Sequence, residues 1–89
     1  MASAEKIRER IREIAGRKNN VDVAEIDWVM NQLKQFGKVS VETENVHIKM
    51  WRFDDEIFSI CPHTKGGRQL KPVYVKNFLN AMMNTGWYD

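Results

Sequence analysis

The stretch VSVETENVHIKMWRFDDEIFSI, residues 39–60, decides the fold because apolar and polar residues alternate along it. Alternation with a period of two is typical of strands that bury one face, since successive side chains point to opposite sides of a sheet. Two turn-prone pairs, Glu44-Asn45 and Asp54-Asp55, divide the stretch into three segments. The sequence therefore predicts a meander of three antiparallel strands, with residues 54–56 as a hairpin turn and not as a catalytic carboxylate pair.

The alternation also predicts which face of the middle strand is buried. The residues assigned to the core are Val46, Ile48 and Met50. The residues predicted to project from the opposite, solvent-facing side are His47, Lys49 and Trp51. An exposed histidine exchanges a proton near neutral pH, and a lysine on the same face can hold a phosphate beside it. An exposed strand histidine beside a lysine is also common on ordinary surfaces, so that interpretation stays open.

A narrow amphipathic helix is predicted near the start of the chain. Ile7, Ile11 and Ile14 recur at helical spacing between Ser3, a candidate N-cap, and Gly16, a candidate stop. Basic and acidic residues fill the other positions. Residues 1–18 are therefore predicted to form a basic N-terminal extension that docks loosely on the domain or pairs with another chain.

Two further helices flank the strands. Asp22, with Glu25 three residues later, has the capping-box pattern, and this helix is expected to carry Phe36 on its apolar side before ending at Gly37. The last helix is expected to open at Pro72 and to stop near residue 86. The order α-α-β-β-β-α predicts an α+β fold with helices on one face of a three-stranded sheet and water on the other.

Composition restricts the class of protein further. The 89 residues, 43% hydrophobic and 29% charged, fit one small folded domain. No apolar run approaches the roughly 18 residues of a membrane span, and the charged N-terminus does not resemble a signal peptide, so a cytoplasmic protein without membrane contact is expected. With Cys61 as the single cysteine and no histidine pair at ligand spacing, neither a metal nor another cofactor is predicted.

A cationic segment, residues 61–72, precedes the last helix directly. Gly66 and Gly67 allow a ligand to approach the backbone, and positive charge comes from Lys65, Arg68 and Lys71. The expected ligand is a phosphate, and the alternative is a solvated turn whose glycines serve backbone geometry only. His63, at the start of this segment, is a candidate second acid–base group or a residue that fixes the loop through a hydrogen bond.

Taken together, these residues resemble the HicA-type toxins of bacterial toxin–antitoxin pairs over about residues 19–83. The resemblance is carried by Asn20-Val21 before a helix, His47 on a strand, Ile60-Cys61-Pro62-His63, Lys65-Gly66 and Leu70-Lys71-Pro72. It implies a double-stranded-RNA-binding-domain-like fold for residues 19–89, messenger RNA cleavage without a metal, and inhibition by a HicB-type antitoxin. It also implies that His47 is the catalytic histidine.

One departure from the family pattern keeps an alternative open. The family usually has Gly-Ser before the histidine, where this chain has Asn45-Val46. The change removes backbone freedom and a hydroxyl that can contact RNA. The sequence thus predicts an endoribonuclease with His47 and His63 at its catalytic centre, or an inactive HicA-like module that binds RNA or a protein. The predicted RNA and phosphate contacts are Lys49, Lys65, Gly66, Gly67, Arg68 and Lys71.

Overall fold

The computed structural model describes residues 2–43, 48–62 and 67–88, which form three helices and one sheet. Their bounds, in chain order, are α1 (Ala4–Ala15), α2 (Val23–Leu33), β1 (Val39–Thr43), β2 (Lys49–Phe53), β3 (Glu56–Ile60) and α3 (Pro72–Asn84). The strands pair antiparallel in the order β1-β2-β3. The predicted order of elements and the meander are confirmed.

The helices begin where their capping residues predict. The side chain of Ser3 accepts a hydrogen bond from the backbone N–H of Lys6, which satisfies one free donor of α1. Both hydrogen bonds of the Asp22–Glu25 capping box are present at the start of α2. Helix α3 begins at Pro72, where a missing N–H removes no helical hydrogen bond.

Helix α2 ends at Leu33, earlier than predicted. Phe36, expected on its buried side, is instead 48% exposed, and its ring centroid lies 5.1 Å from that of Trp87. The chain then turns under β2 at Gly37, where a Cβ atom would lie only 2.7 Å from Cε1 of Phe53. Glycine is therefore required at position 37 by this close approach, because a larger residue would push the aromatic ring out of place.

Helix α3 closes with a Schellman motif near the predicted position. Gly86 has a φ of 83°, a left-handed conformation that favours glycine. The following residue, Trp87, donates its backbone N–H to the carbonyl of Met82 at 2.7 Å. The motif turns the chain back so that the Trp87 ring meets both Phe36 and the guanidinium of Arg8.

Helix α1 is part of the core. Ile7, Ile11 and Ile14 have no exposed surface and belong to the same buried cluster as side chains of α2, α3 and the sheet. The expectation of loose docking is wrong, because a helix that buries its whole apolar stripe against two other helices is a structural element of the domain. The proposed division at residue 18 stays a prediction.

Strand β2 buries the face opposite to the one predicted. Trp51 and Phe53 are 3% and 2% exposed and lie in the core, whereas Met50 is only half-buried and lies on the open face. Trp51 is directly opposite Phe58 in the sheet register. Directly opposite residues share a face, so Trp51 lies on the same helix-facing side of the sheet as the buried Phe58.

The register also moves Lys49 to the helix-facing side, where it pairs with the buried Ile60. The prediction that Lys49 and Trp51 face solvent while Met50 faces the core is therefore wrong. The remaining prediction, helices on one side of the sheet and an exposed opposite face, is confirmed by the buried and exposed residues of β2 and β3. Val46 and His47 lie outside the described residues.

The assignment of faces predicts different costs for two neighbouring substitutions. Trp51→Ala should lower the free energy of unfolding by about 3–5 kcal/mol, because it leaves a large cavity between sheet and helices. Met50→Ala, on the open face, should cost less than about 1.5 kcal/mol. Urea denaturation followed by circular dichroism measures both. The opposite ranking would contradict the observed faces.

Candidate functional site

A cleft of about 270 Å³ opens where the first turns of α2 meet one end of the sheet and the cationic segment. Its apolar lining is Val23, Ala24, Ile60 and Pro62, and its polar lining is Asp27, Thr43, Lys49, Arg68 and the backbone of Gly67. The cleft is slightly smaller than the roughly 300 Å³ at which small-molecule sites usually begin, so it has room for one small group. The mixed lining offers an apolar surface together with both signs of charge.

One row across the sheet forms a wall of the cleft. Thr43 lies opposite Lys49, and Lys49 lies opposite Ile60 in the antiparallel register. All three side chains therefore share the helix-facing side. Ile60 is buried, but Lys49 and Thr43 are progressively more exposed, because the row lies at the edge of the core.

A carboxylate of α2 holds Lys49. The Nζ atom donates to Oδ2 of Asp27 at 2.8 Å, with the two side chains 39% and 24% exposed. A partly exposed pair of this kind stabilises a fold by only about 0–1 kcal/mol. Its larger effect is local, because Asp27 fixes the ammonium beside the cleft and offsets part of its charge.

The cationic segment is anchored to the start of α2. The N–H of Val23 donates to the carbonyl of Arg68 at 2.7 Å, and the N–H of Leu70 donates to the carbonyl of Val21 at 2.8 Å. Leu70 also forms an isolated antiparallel bridge with Pro62 at the other described end of the segment. These contacts place the backbone of residues 67–68 beside α2, and both Pro62 and residue 67 line the cleft.

The Arg68 side chain is available to a ligand. It is 76% exposed, and its nearest charged partner, Oδ1 of Asp22, lies 3.8 Å from Nε. In contrast, the first N–H groups of α2 already have acceptors, namely the carbonyl of Arg68 and the side chain and carbonyl of Asp22. Positive charge in the described part of the cleft therefore comes from side chains and not from the helix N-terminus.

The structure brings together three of the predicted ligand-binding residues, Lys49, Gly67 and Arg68. Lys71 does not join them among the lining residues of this cleft. It lies in a separate groove at the start of α3 that also contains Asn19, Gln69, Leu70 and Pro72. His47, His63, Lys65 and Gly66 lie outside the described residues, so the roles assigned to them stay predictions.

Sequence reasoning missed Asp27. It stands between Ile26 and Trp28 in α2 and belongs to no motif of its own. The available signal is helical spacing, since Asp27 follows Val23 by four residues and so shares a face with the residue that meets the cationic segment. That signal becomes informative only when the contact between α2 and the segment is known.

A second ion pair steadies the beginning of α2. Arg17 donates from both Nη atoms to the Glu25 carboxylate and from Nη1 to the carbonyl of Asn20. Hydrogen bonding by Arg17 lowers the pKa of the Glu25 carboxyl; partial burial opposes this shift, and the Asp22 N–H reinforces it. The Glu25 carboxylate in turn raises the pKa of the Arg17 guanidinium. The pair thus fixes the turn that leads into the cleft-lining residues of α2.

This ion pair predicts a pH-dependent contribution to stability. Because the pKa of Glu25 is lowered in the folded protein, its stabilisation should be complete above the ordinary glutamate pKa, about 4.3, and lost as the pH falls through the lower folded value. The difference in unfolding free energy between wild type and Glu25→Gln should therefore shrink on acidification, measured by urea denaturation. In an Arg17→Gln background the trend should largely disappear. A difference that stays constant across this pH range would contradict the assignment.

Within the described residues, no helix has the length and apolar character that a membrane crossing requires. The same residues contain no group of three or more His, Cys, Asp or Glu side chains placed to share a metal ion. No protein-family model, curated protein or solved structure matches the chain.

Proposed function

We propose that this protein binds RNA in the cleft and cleaves it in the manner of a HicA-type toxin. The observation that carries the proposal is the meeting of Lys49 and Arg68, from distant parts of the chain, in one cleft beside Gly67. An ammonium and a guanidinium beside an accessible backbone suit the phosphate of a nucleotide. The apolar lining suits its sugar or base.

The arrangement of elements supports the fold that the resemblance implies. After α1, the chain runs α2-β1-β2-β3-α3, with an antiparallel meander and helices on one face of the sheet. We propose that this part is double-stranded-RNA-binding-domain-like. The cleft lies on the helix-facing side of the sheet, at the end where Thr43, Lys49 and Ile60 form their row.

The proposed reaction is attack of a ribose 2′-hydroxyl on the adjacent phosphodiester. A base removes the hydroxyl proton, a bond forms from the 2′-oxygen to phosphorus, and the bond to the 5′-oxygen breaks as an acid protonates it. The products are a 2′,3′-cyclic phosphate and a 5′-hydroxyl, and the chemistry needs no metal. We assign the proton transfers to His47, with His63 in support, and charge stabilisation to Lys49 and Arg68.

A second candidate function is RNA binding without cleavage. The Lys49–Asp27 ion pair favours it, because an ammonium that already faces a carboxylate stabilises developing phosphate charge less than an unpaired one does. The Asn45-Val46 sequence before His47, in place of the Gly-Ser usual in HicA-type toxins, also favours binding without cleavage. In both cases the proposed protein partner is a HicB-type antitoxin that covers the cleft.

The enzymatic proposal predicts cleavage in the presence of a metal chelator. Wild-type protein should cut RNA to products with 2′,3′-cyclic phosphate ends, and His47→Ala should reduce the rate by about 10²- to 10⁴-fold because it removes the acid–base group. Lys76→Ala, on the exposed side of α3, is a control that should cut normally. Circular dichroism checks that each variant is folded. Equal persistence of RNA with wild type and His47→Ala would exclude the enzymatic proposal.

The binding proposal predicts salt-dependent affinity that resides in the cleft. In a His47→Ala background, Lys49→Ala and Arg68→Ala should each weaken RNA binding. Each should also reduce the magnitude of the slope of log affinity against log salt concentration by about 1, the amount expected for the loss of one phosphate contact. Lys76→Ala should leave both quantities nearly unchanged. Fluorescence anisotropy at several salt concentrations measures them. Binding that keeps its full slope in the double Lys49→Ala, Arg68→Ala variant would place the RNA elsewhere.

A further inference from the structure

We infer that Asp27 determines the specificity of the cleft by accepting a hydrogen bond from the 2′-hydroxyl of a nucleotide whose phosphate binds Lys49, and so selects RNA over DNA. The inference rests on the proposed function, that the cleft binds nucleic acid. It adds Asp27, a residue that no sequence motif marks, to the proposed site and gives a chemical reason for the preference of ribose over deoxyribose.

A negative and a positive group are paired at one point of the cleft. Oδ2 of Asp27 and Nζ of Lys49 are 2.8 Å apart, so an acceptor and a cationic donor stand side by side. A ribonucleotide presents the complementary pair, because its 2′-hydroxyl and 3′-phosphate are attached to neighbouring carbons of the ribose. In the bound ground state the hydroxyl can donate to the carboxylate while the phosphate accepts from the ammonium, and the proposed cleavage begins when the hydroxyl turns its proton from Asp27 to His47.

The two carboxylate oxygens of Asp27 lie in different surroundings. Oδ1 of Asp27 is shielded from solvent and has no hydrogen-bond partner among the described residues. Oδ2 is therefore the oxygen that can meet a ligand, and a carboxylate oxygen bonded to one donor still has capacity for another. The contact with Lys49 fixes this oxygen at the cleft, so a ligand hydroxyl finds the acceptor already in place.

The negative charge of Asp27 also affects how tightly a phosphate binds. A carboxylate repels a phosphate bound beside it, so Asp27 weakens the binding of every phosphate ligand. A ribonucleotide offsets that repulsion by donating its 2′-hydroxyl to Oδ2. A deoxynucleotide has no donor at this position and experiences the repulsion alone. The same residue thus penalises DNA more than RNA, which is the basis of discrimination.

Thr43 and the apolar residues complete the fit. Thr43 stands opposite Lys49 in the sheet and adds a hydroxyl to the same wall of the cleft. Val23, Ile60 and Pro62 supply apolar surface for the sugar or base. The cleft volume of about 270 Å³ restricts the inference to one nucleotide, with the rest of an RNA strand lying outside.

The test compares sugar preference in matched variants. A short fluorescent oligouridylate, its 2′-deoxy counterpart and its 2′-fluoro counterpart are titrated with protein in a His47→Ala background, which keeps the RNA probe intact. The 2′-fluoro probe retains a ribose-like sugar pucker but has no donor. With Asp27 present, the ribose probe should bind about tenfold more tightly than either other probe, the effect of one charge-assisted hydrogen bond.

Asp27→Ala should abolish this preference, chiefly because the deoxy and fluoro probes bind more tightly once the carboxylate is gone. Asp27→Leu, which is similar in size but has no hydrogen-bond acceptor, provides a second variant should alanine disturb the fold. Asp55→Ala, in the β2–β3 turn away from the cleft, removes the same charge and should leave the preference unchanged.

Two results would overturn the inference while the proposed function stands. One is equal affinity for all three probes with Asp27 in place, and the other is a ribose preference that survives in both Asp27 variants. If none of the probes binds, the proposed function fails together with the inference. The outcomes therefore separate a wrong specificity residue from a wrong ligand class.

Discussion

The burial of Trp51 between the sheet and the helices determines where the candidate site lies. Because strand side chains alternate, the face that Trp51 takes is also the face of Lys49, two residues earlier. Register with β3 enforces the choice, since Trp51 lies opposite Phe58, and both are buried. Had β2 buried Met50 instead, Lys49 would lie on the open face, away from α2. The cleft consequently depends on the packing of one indole ring.

Local signals predicted much of the architecture. The capping box of α2, Pro72 at the start of α3 and the turn at Asp54-Asp55 act through neighbouring residues, so sequence alone is sufficient to place them. The faces of β2 were not predictable in the same way. Its sequence contains two apolar alternations, one through Met50 and the other through Trp51, and only pairing with β3 decides between them.

The site was less predictable than the fold because it depends on long-range contacts. Lys49 and Arg68 were recognised as cationic residues, but their meeting in one cleft requires the bonds between the cationic segment and α2. Asp27 was missed for the same reason, since its partner Lys49 lies on a strand and not on its own helix. Lys71 illustrates the reverse case, because proximity in sequence suggested a shared ligand while the chain carries it into another groove.

The charge balance of the cleft restricts the ligands it can favour. Each described cation has a carboxylate near it, Asp27 beside Lys49 and, at a greater distance, Asp22 beside Arg68. A site of this kind binds a simple anion only weakly, because attraction to the cation is opposed by repulsion from the neighbouring carboxylate. It binds more tightly a ligand that carries a hydrogen-bond donor next to its negative charge, because the donor can pair with the carboxylate. The proposed ligand, a ribonucleotide, carries such a donor in its 2′-hydroxyl.

The N-terminal segment contributes to this site without lining it. The three isoleucines of α1 complete the core that supports α2 and α3, and Arg17 then fixes Glu25 in the first turn of α2. The same turn carries Val23 and Ala24 into the cleft and receives the hydrogen bond that anchors Arg68. A chain that began at residue 19 would lose both the packing and the ion pair. The segment that the sequence presents as an extension is therefore part of what shapes the cleft.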